Sequence, residues 1–275
     1  AYCEDRQDKP ERIAPALFEA LQQAVATASQ GSGVKGAFLS GGTDSSTVAG
    51  LMARQSEHPV PTFSIGFEDE KYNELDYAHI AARHFGLQSH EAIVTADDTL
   101  GAIDLMAQQF EEPFGNNSAV AGYFCAKLAR EHGVDVLLAG DGGDEVFGGN
   151  ERYRTNQLFR RYQTLPGWLR RGLVEPALAL PWPDRGLIRK GRRYVFKANQ
   201  STVRRYYEYE FHAANTAQDI FTPEFLAQID PDLPWSLAQR HYQNAAASSE
   251  LDRLLYLDLQ LTIADNDLCK VTRTA

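Results

Sequence analysis

The most informative stretch of the sequence reads Ser40-Gly41-Gly42-Thr43-Asp44-Ser45-Ser46, and it follows a short apolar run from Val34 to Leu39. After it, apolar side chains recur at helical spacing, as at Val48 and Met52. A strand that turns through two glycines into a helix presents unpaired backbone N–H groups at the positive end of the helix dipole. This pattern is typical of a phosphate-binding loop, although a serine- and glycine-rich turn that only caps a helix has the same composition.

The side chains of this first loop suit a phosphate ligand. The two glycines let the backbone approach an anion closely, and the serine hydroxyls can donate to phosphate oxygens. Asp44 is the exception, because a carboxylate repels phosphate unless a divalent cation lies between them. Mg²⁺ prefers oxygen ligands and fits that position.

A second glycine-rich stretch follows another apolar run, Val134 to Ala139. It reads Gly140-Asp141-Gly142-Gly143-Asp144-Glu145-Val146-Phe147-Gly148-Gly149. An exposed acidic loop is one interpretation, whereas a calcium loop would need ligands at alternate positions and a closing glutamate, which are absent from the sequence. In a parallel sheet the loops that leave neighbouring strands meet in one crevice. Asp44 and Asp144 are therefore predicted to face each other across bound Mg²⁺-pyrophosphate.

Composition favours an enzyme of the cytoplasm. The 275 residues carry a net charge of −10, which argues against a nucleic-acid partner because such a protein would present a basic face. No apolar run approaches transmembrane length, so no membrane partner is expected. The three cysteines, Cys3, Cys125 and Cys269, are far apart and form no Cys-x-x-Cys pair, which indicates a reduced compartment and no structural zinc. Cys125 lies in a regular apolar pattern and is predicted to be a core residue.

The first half of the chain alternates between strand and helix patterns, which predicts an α/β fold with a doubly wound parallel sheet. After about Tyr153 the sequence becomes rich in arginine and aromatic residues and predicts a mostly helical C-terminal extension. We expect domains at residues 1–155 and 156–275. The predicted strands are Val34–Leu39, Val60–Gly66, Ser89–Val94 and Val134–Ala139. A first helix is predicted from Pro10 and Glu11, which suit a first turn, and from an apolar stripe between Leu17 and Ala28. The further predicted helices are Ser45–Gln55, Glu74–Phe85, Ala96–Gln108, Ser118–His132, Ala238–Ala247 and Glu250–Leu261.

The first loop resembles the S-G-G-x-D-S-S loop of the ATP pyrophosphatase (PP-loop) superfamily, with Thr43 where an aliphatic residue is usual. The two loops together resemble the synthetase domain of the glutamine-dependent asparagine synthetase family. Further segments match that family in order along the chain. These are Phe63-Ser64-Ile65-Gly66-Phe67, Tyr72-Asn73-Glu74, Glu111-Glu112-Pro113-Phe114 and Leu268-Cys269-Lys270-Val271-Thr272-Arg273. Asp141 replaces a frequent Glu, Glu111 an Asp, and Thr272 the Asp of the L-x-K-V-D-R segment.

The resemblance implies ATP-dependent activation of a small carboxylate as an acyl-adenylate, release of pyrophosphate, and attack by an amine, most simply ammonia. ATP and Mg²⁺ are the implied cofactors. The implied ATP-binding residues are Leu39, Ser40, Gly41, Gly42, Asp44, Ser45, Ser46, Ile65 and Gly140. The implied metal ligands are Asp44 and Asp144. The implied catalytic residues are Asp141, beside the acyl centre, and Lys270.

Three other functions share parts of this pattern. One is a synthetase that joins a carboxylate and an amine of the same molecule, as in β-lactam or lasso-peptide ring closure. Another is a PP-loop enzyme that modifies tRNA, and the third is a nucleotide-binding module without catalysis. The family resemblance also implies a glutaminase domain as the source of ammonia. We expect that domain to be absent from this chain, with the synthetase domain truncated at its C-terminus. The sequence leaves the oligomeric state open, a homo-oligomer included.

Overall fold

The computed structural model describes residues 9–111, 114–183, 185–207 and 217–274. Cys3, Glu112 and Pro113 lie outside these ranges. The described chain forms two compact units, which we call the sheet unit (residues up to 143, together with 261–274) and the helical unit (144–260). The expected boundary at residue 155, between a core predicted to bind ATP and a helical extension, stays a prediction.

The sheet unit is built on four parallel strands in the order β3-β2-β1-β4. Their bounds are β1 (Lys35–Phe38), β2 (Pro61–Phe67), β3 (Gln88–Val94) and β4 (Val136–Leu138). Ala37 of β1 is in register with Thr62 on one side and with Leu138 on the other. The chain therefore moves outward from β1 to β3 and returns to the opposite side of β1 with β4. The loops after β1 and β4 consequently flank a topological switch point, where ligands of open α/β sheets bind.

Helices cover both faces of this sheet. Those of the sheet unit are α1 (Pro10–Ala28), α2 (Thr43–Gln55), α3 (Leu75–Phe85), α4 (Ala96–Gln109) and α5 (Ser118–Glu131), with a short 3₁₀ helix at Glu70–Tyr72. Side chains of α1, α2 and α3 pack on Ala37, Leu39 and Leu138. On the other face, Cys125 and Ala129 of α5 pack on Phe63, which is fully buried. The predicted α/β fold with a parallel sheet is confirmed.

Cys125 is confirmed as a core residue. Its side chain is 6% exposed, and its thiol lies 3.7 Å from the carbonyl oxygen of Phe63. Burial raises the pKa of the Cys125 thiol to about 12, so the thiolate form that a nucleophile needs is disfavoured.

From Gly143, within the second loop, onward the described chain is mostly helical, which confirms the predicted helical extension. The helices are α6 (Gly143–Phe147), α7 (Glu151–Gln163), α8 (Gly167–Leu169), α9 (Glu175–Ala179), α10 (Gly186–Asn199), α11 (Thr202–Tyr207), α12 (Pro223–Leu226), α13 (Leu233–Asn244), α14 (Glu250–Asp258) and α15 (Leu268–Thr274). Two further segments, Arg170–Val174 and Leu259–Asp267, are π-helical. No helix within the described residues is both long and apolar enough to cross a bilayer.

The core of the helical unit contains a buried carboxylate. Asp258 at the end of α14 is 0% exposed. It accepts hydrogen bonds from the hydroxyls of Tyr153 (2.7 Å), Tyr206 (2.5 Å) and Tyr207 (2.5 Å). Arg152 lies 3.9 Å from the same carboxylate. The three donors and the nearby cation offset the cost of removing this charge from water.

Most predicted elements agree with the structure within two residues, and the clearest error lies in the helical unit. The helix predicted at Ala238–Ala247 begins earlier, at Leu233, and ends at Asn244. Pro234 lies in its first turn, where a missing N–H costs nothing and the fixed φ angle suits a helix. The helix predicted at Glu250–Leu261 keeps α-helical form only to Asp258 before the π-helical segment begins.

Candidate active site

The first loop leaves β1 at a well-anchored residue. Leu39 is 1% exposed, and its N–H donates to the carbonyl oxygen of Phe63 at 3.0 Å. Its own carbonyl accepts from the hydroxyl of Ser64 at 2.6 Å. The N–H is therefore already used, and only the second lone pair of the carbonyl oxygen is left for a ligand.

Two serines brace the loop from inside. The hydroxyls of Ser40 and Ser45 lie 2.9 Å apart, and the N–H of Gly42 donates to the Ser40 hydroxyl at 3.3 Å. Gly41 has φ +82°, and a Cβ atom there would overlap Tyr77 and Ala78 of α3. Only glycine satisfies both the backbone angle and the close approach.

Helix α2 begins immediately after this turn. Gly42 is its N-cap, and among the described residues no side chain caps the helix. The first turn of a helix leaves backbone N–H groups that the helix itself cannot satisfy, and these groups attract anions. Ser46, in the same turn, has a buried hydroxyl without a hydrogen-bond partner in the described ranges. A buried polar group without a partner is unfavourable, by about 1–3 kcal/mol, so the loop lacks an acceptor that a phosphate ligand has.

The second loop packs tightly against the first. A Cβ atom at Gly140 would lie 2.6 Å from the backbone nitrogen of Ser45, and one at Gly143 would overlap the Asp44 carboxylate. The two glycines thus allow the loops to touch, although about a hundred residues separate them. The Asp44 carboxylate lies against the backbone at Gly143, and carboxylate oxygen is the donor that Mg²⁺ prefers.

Lys270 joins two acidic residues on the sheet unit. Its ammonium donates to Oδ1 of Asp141 at 2.9 Å and to Oδ1 of Asp267 at 3.0 Å. The lysine side chain is 14% exposed. Burial alone would lower the pKa of Lys270, but the hydrogen bonds and charges of the two carboxylates outweigh it and raise the pKa above its usual value. The structure therefore brings together the two residues that were predicted to be catalytic, and it keeps the lysine protonated.

Two residues of this cluster, Asp267 and Asn116, were not predicted to belong to the site. The side-chain amide of Asn116 donates to Asn266 at 3.0 Å and to Asp267 at 3.4 Å. Asp267 could have been found from its spacing to Lys270, because residues three apart on a helix share a face. Asn116 had no such local signal, since it is 150 residues from its partner.

The two segments that contain Glu111 and Thr272, the residues that differ from the family pattern, contact each other. Arg273 forms an ion pair with Glu111. Thr272, which replaces the family's Asp, donates back to the carbonyl oxygen of Leu268 at 2.7 Å. The threonine hydroxyl is thus used within its own helix, α15, while the neighbouring arginine keeps a carboxylate partner.

Ile65 offers backbone groups beside the first loop. In a parallel strand, residues two apart direct their N–H and C=O groups to the same side. The carbonyl of Phe63 points toward β1, where it accepts from Leu39. Ile65 therefore faces the same side, beyond the last residue of β1, Phe38.

Asp144 begins the helical unit. Asp144 is exposed, and its backbone carbonyl accepts a hydrogen bond from the N–H of Gly149 at 3.1 Å. The pairing of Asp144 with Asp44 across a metal stays a prediction. Among the described residues, no group of three or more His, Cys, Asp or Glu side chains could hold a metal.

Comparison with known proteins identifies the family model described as asparagine synthase, which matches residues 16–275. Glutamine-hydrolysing asparagine synthetase 1 of Bacillus subtilis is 25% identical over 246 residues, which cover 86% of this chain and 36% of that protein. A protein of Methanocaldococcus jannaschii, provisionally named glutamine-hydrolysing asparagine synthetase 2, is 34% identical over 245 residues, or 87% of this chain and 44% of that protein. The chain thus spans less than half the length of these relatives.

Proposed function

The chain belongs to the asparagine synthase family, and on that premise we propose that it is the synthetase part of an ATP-dependent, amide-forming enzyme. The observation that carries the proposal is the packing of the two glycine-rich loops against each other, with Gly140 on Ser45 and Gly143 on Asp44. Both loops follow strands that flank the switch point of the sheet, the position at which α/β folds bind nucleotides.

In the proposed reaction, a carboxylate oxygen of the substrate attacks the α-phosphorus of ATP, and the bond to the bridging oxygen breaks. Pyrophosphate leaves with that electron pair, and an acyl-adenylate remains. An amine then attacks the carbonyl carbon, the bond to AMP breaks, and AMP leaves with the electron pair. The amine nitrogen finally gives up a proton. We take aspartate and ammonia as the first substrates to test.

The first loop would hold the phosphates of ATP. The helix N-terminus and the serine hydroxyls stabilise negative charge on the leaving pyrophosphate, and the Ser46 hydroxyl gains the acceptor that it lacks. Asp44 and Asp144 would hold Mg²⁺, which supplies charge neutralisation for the phosphates. The backbone of Leu39, Ile65 and Gly140 would hold the adenosine.

Asp141 and Lys270 would act on the acyl centre. Lys270 holds Oδ1 of Asp141, which leaves the second carboxylate oxygen, Oδ2, to orient the amine and accept its proton. The protonated lysine stabilises negative charge that develops on the acyl-phosphate oxygens as the amine adds. Asp267 is a positioning residue, since it holds the lysine from the other side.

Pyrophosphate exchange into ATP tests this function. We expect exchange that depends on one carboxylate, aspartate in the simplest case, and that is lost in Asp44→Asn. Larger substrates that carry both an amine and a carboxylate form a second arm and would indicate intramolecular ring closure. Binding of ATP without exchange in the presence of any carboxylate would contradict the proposal and favour a nucleotide-binding module without catalysis.

A further inference from the structure

The helical unit contains an open cavity of about 530 Å³ that the proposed reaction does not use. Residues of α7, α10 and α11 line it. Its floor is aromatic and buried: Phe159 is 9% and Tyr206 is 5% exposed, and the ring of Tyr194 stacks on Phe159 with 5.0 Å between centroids. The volume is in the range of small-molecule sites, about 300–1,000 Å³.

The charge of this cavity is opposite to that of the whole chain. Its lining includes one acidic residue, Glu151, and five basic residues, although the chain has a net charge of −10. The basic residues are Arg152, Lys190, Arg193, Lys197 and Arg205. Three of them recur at i, i+3 and i+7 on α10, which places them on one helix face toward the cavity. Concentrated positive charge in an acidic protein attracts anions.

One cation at the floor is buried and hydrogen-bonded, whereas two at the rim are exposed. Arg205 is 6% exposed and donates twice to Oδ1 of Asn156, at 3.0 and 2.7 Å. Glu250 lies 3.7 Å from the same guanidinium and offsets part of its charge. Lys190 and Arg193 are exposed at the rim, and within the described ranges neither forms an ion pair. A ligand would therefore contact a buried floor and two cationic side chains that are exposed to solvent.

We propose that this cavity binds a small organic anion with a planar, apolar body and two or more negative charges. The ring of Phe159 is already covered by Tyr194 and by the Arg205 guanidinium, 5.2 Å from its centroid. The body would therefore lie against Tyr194, and the charged groups would pair with Lys190 and Arg193 at the rim. Contact with the tyrosine ring and charge-assisted hydrogen bonds would act together. Carboxylate and phosphate groups are both suitable, because both accept from lysine and arginine.

Calorimetric titration of the full chain with two planar probes tests the proposal. Benzene-1,3,5-tricarboxylate carries carboxylates and phenyl phosphate carries a phosphate, so the two probes distinguish the sources of charge. Inorganic phosphate is the control without a ring. We expect saturable binding of at least one planar probe and weaker binding of inorganic phosphate.

Charge-matched variants locate the site. Lys190→Gln/Arg193→Gln removes two cavity charges and should weaken binding at least about tenfold, the loss of one good charged contact. Arg185→Gln/Arg189→Gln removes two exposed charges of the same region that do not line the cavity, and it should bind like the parent. Thr155→Trp keeps every charge but fills the cavity, and it should also abolish binding.

Three results would overturn the proposal. The first is that neither planar probe binds at about 1 mM. The second is an equal loss of affinity in the two double variants, and the third is unchanged affinity in Thr155→Trp. Circular dichroism of each variant confirms that the helices are intact, since all five substituted residues are exposed.

Discussion

A charged cluster in the sheet unit and another in the helical unit contain similar groups but differ in their access to solvent. Around Lys270, the side chains of Asp141 and Asp267 are 28% and 17% exposed. Around Asp258, by contrast, the carboxylate is 0% exposed and accepts hydrogen bonds from three tyrosine hydroxyls. The open cluster can exchange a partner for a substrate, whereas the closed one has no room for it.

This difference indicates that a buried charge by itself does not identify an active site. Both clusters satisfy their charges, and both raise the pKa of a proton donor, Lys270 in one and Tyr206 in the other. Only the open cluster includes a residue, Asp141, of a loop at the switch point of the sheet. We therefore expect substitutions in the open cluster to change activity and substitutions in the closed cluster to change stability.

The largest effect is expected for Asp141→Asn. Loss of the carboxylate removes the proposed proton acceptor and should lower kcat for amide formation by about 10²–10⁴-fold, the usual contribution of a general base. Thermal stability should stay close to that of the parent, because Asp141 is partly exposed. Steady-state kinetics with ammonia and a melting curve measure the two quantities. Asp104→Asn, which changes an exposed carboxylate of α4, is the matched control. Equal losses of kcat in both variants would contradict the special role of the open cluster.

Asp258→Asn should lower the free energy of unfolding by about 2–3 kcal/mol, because an amide has one acceptor oxygen for three tyrosine donors and carries no charge. All three tryptophans, Trp168, Trp182 and Trp235, belong to the helical unit. Tryptophan fluorescence in guanidinium therefore reports this unit alone. Asp219→Asn, which is exposed, should leave the midpoint unchanged. An Asp258→Asn protein as stable as the parent would show that the cluster contributes little.

Gly143→Ala should lower activity about 10- to 100-fold, because its Cβ would displace the Asp44 carboxylate and small displacements at a catalytic site are costly. Gly101→Ala is the matched control, since a Cβ there meets nothing within 4 Å. Pyrophosphate exchange measures both. Parental activity in Gly143→Ala would mean that the contact between the two loops is not needed for the reaction.

The smallest effect concerns pH. Burial and, after it, Asp258 raise the pKa of Tyr206, so the native state holds its proton more tightly than the unfolded chain does. The resulting stability is fully present below about pH 10, the pKa of an unfolded tyrosine, and is lost as the pH rises further. Tyr206→Phe should therefore lose less stability than the parent between about pH 9 and 11, as measured by the tryptophan transition. The exposed Tyr77→Phe is the control, and identical pH slopes in parent and Tyr206→Phe would contradict this account.

Much of the sheet unit could be predicted because its signals are local. Short apolar runs bounded by glycine-rich turns predict strands, and the helices between them carry regular apolar faces. Asp141 and Lys270 were each predicted to be catalytic from a family resemblance and not from any local pattern. Their hydrogen bond was not predicted, since 129 residues separate them. Asn116 was missed for the same reason: its contacts depend on tertiary packing alone.

The helical unit was less predictable. Its helices contain many charged and aromatic residues, so their apolar faces are less regular, and prolines lie at helix starts as well as in loops. The Asp258 cluster could not be foreseen, because three tyrosines and an aspartate spread over 105 residues carry no spacing signal. The basic cavity depends similarly on the packing of α7, α10 and α11.

Phosphorus NMR of the reaction mixture tests the central claim most directly. The parent chain would be incubated with ATP, Mg²⁺, ammonia and the carboxylate that supports exchange, and the phosphorus products would be followed with time. We predict AMP and pyrophosphate in equal amounts, with amide formed in the same ratio and both lost in Asp44→Asn. Formation of ADP and orthophosphate would contradict the proposed cleavage between the α and β phosphates and, with it, the assignment of the two loops.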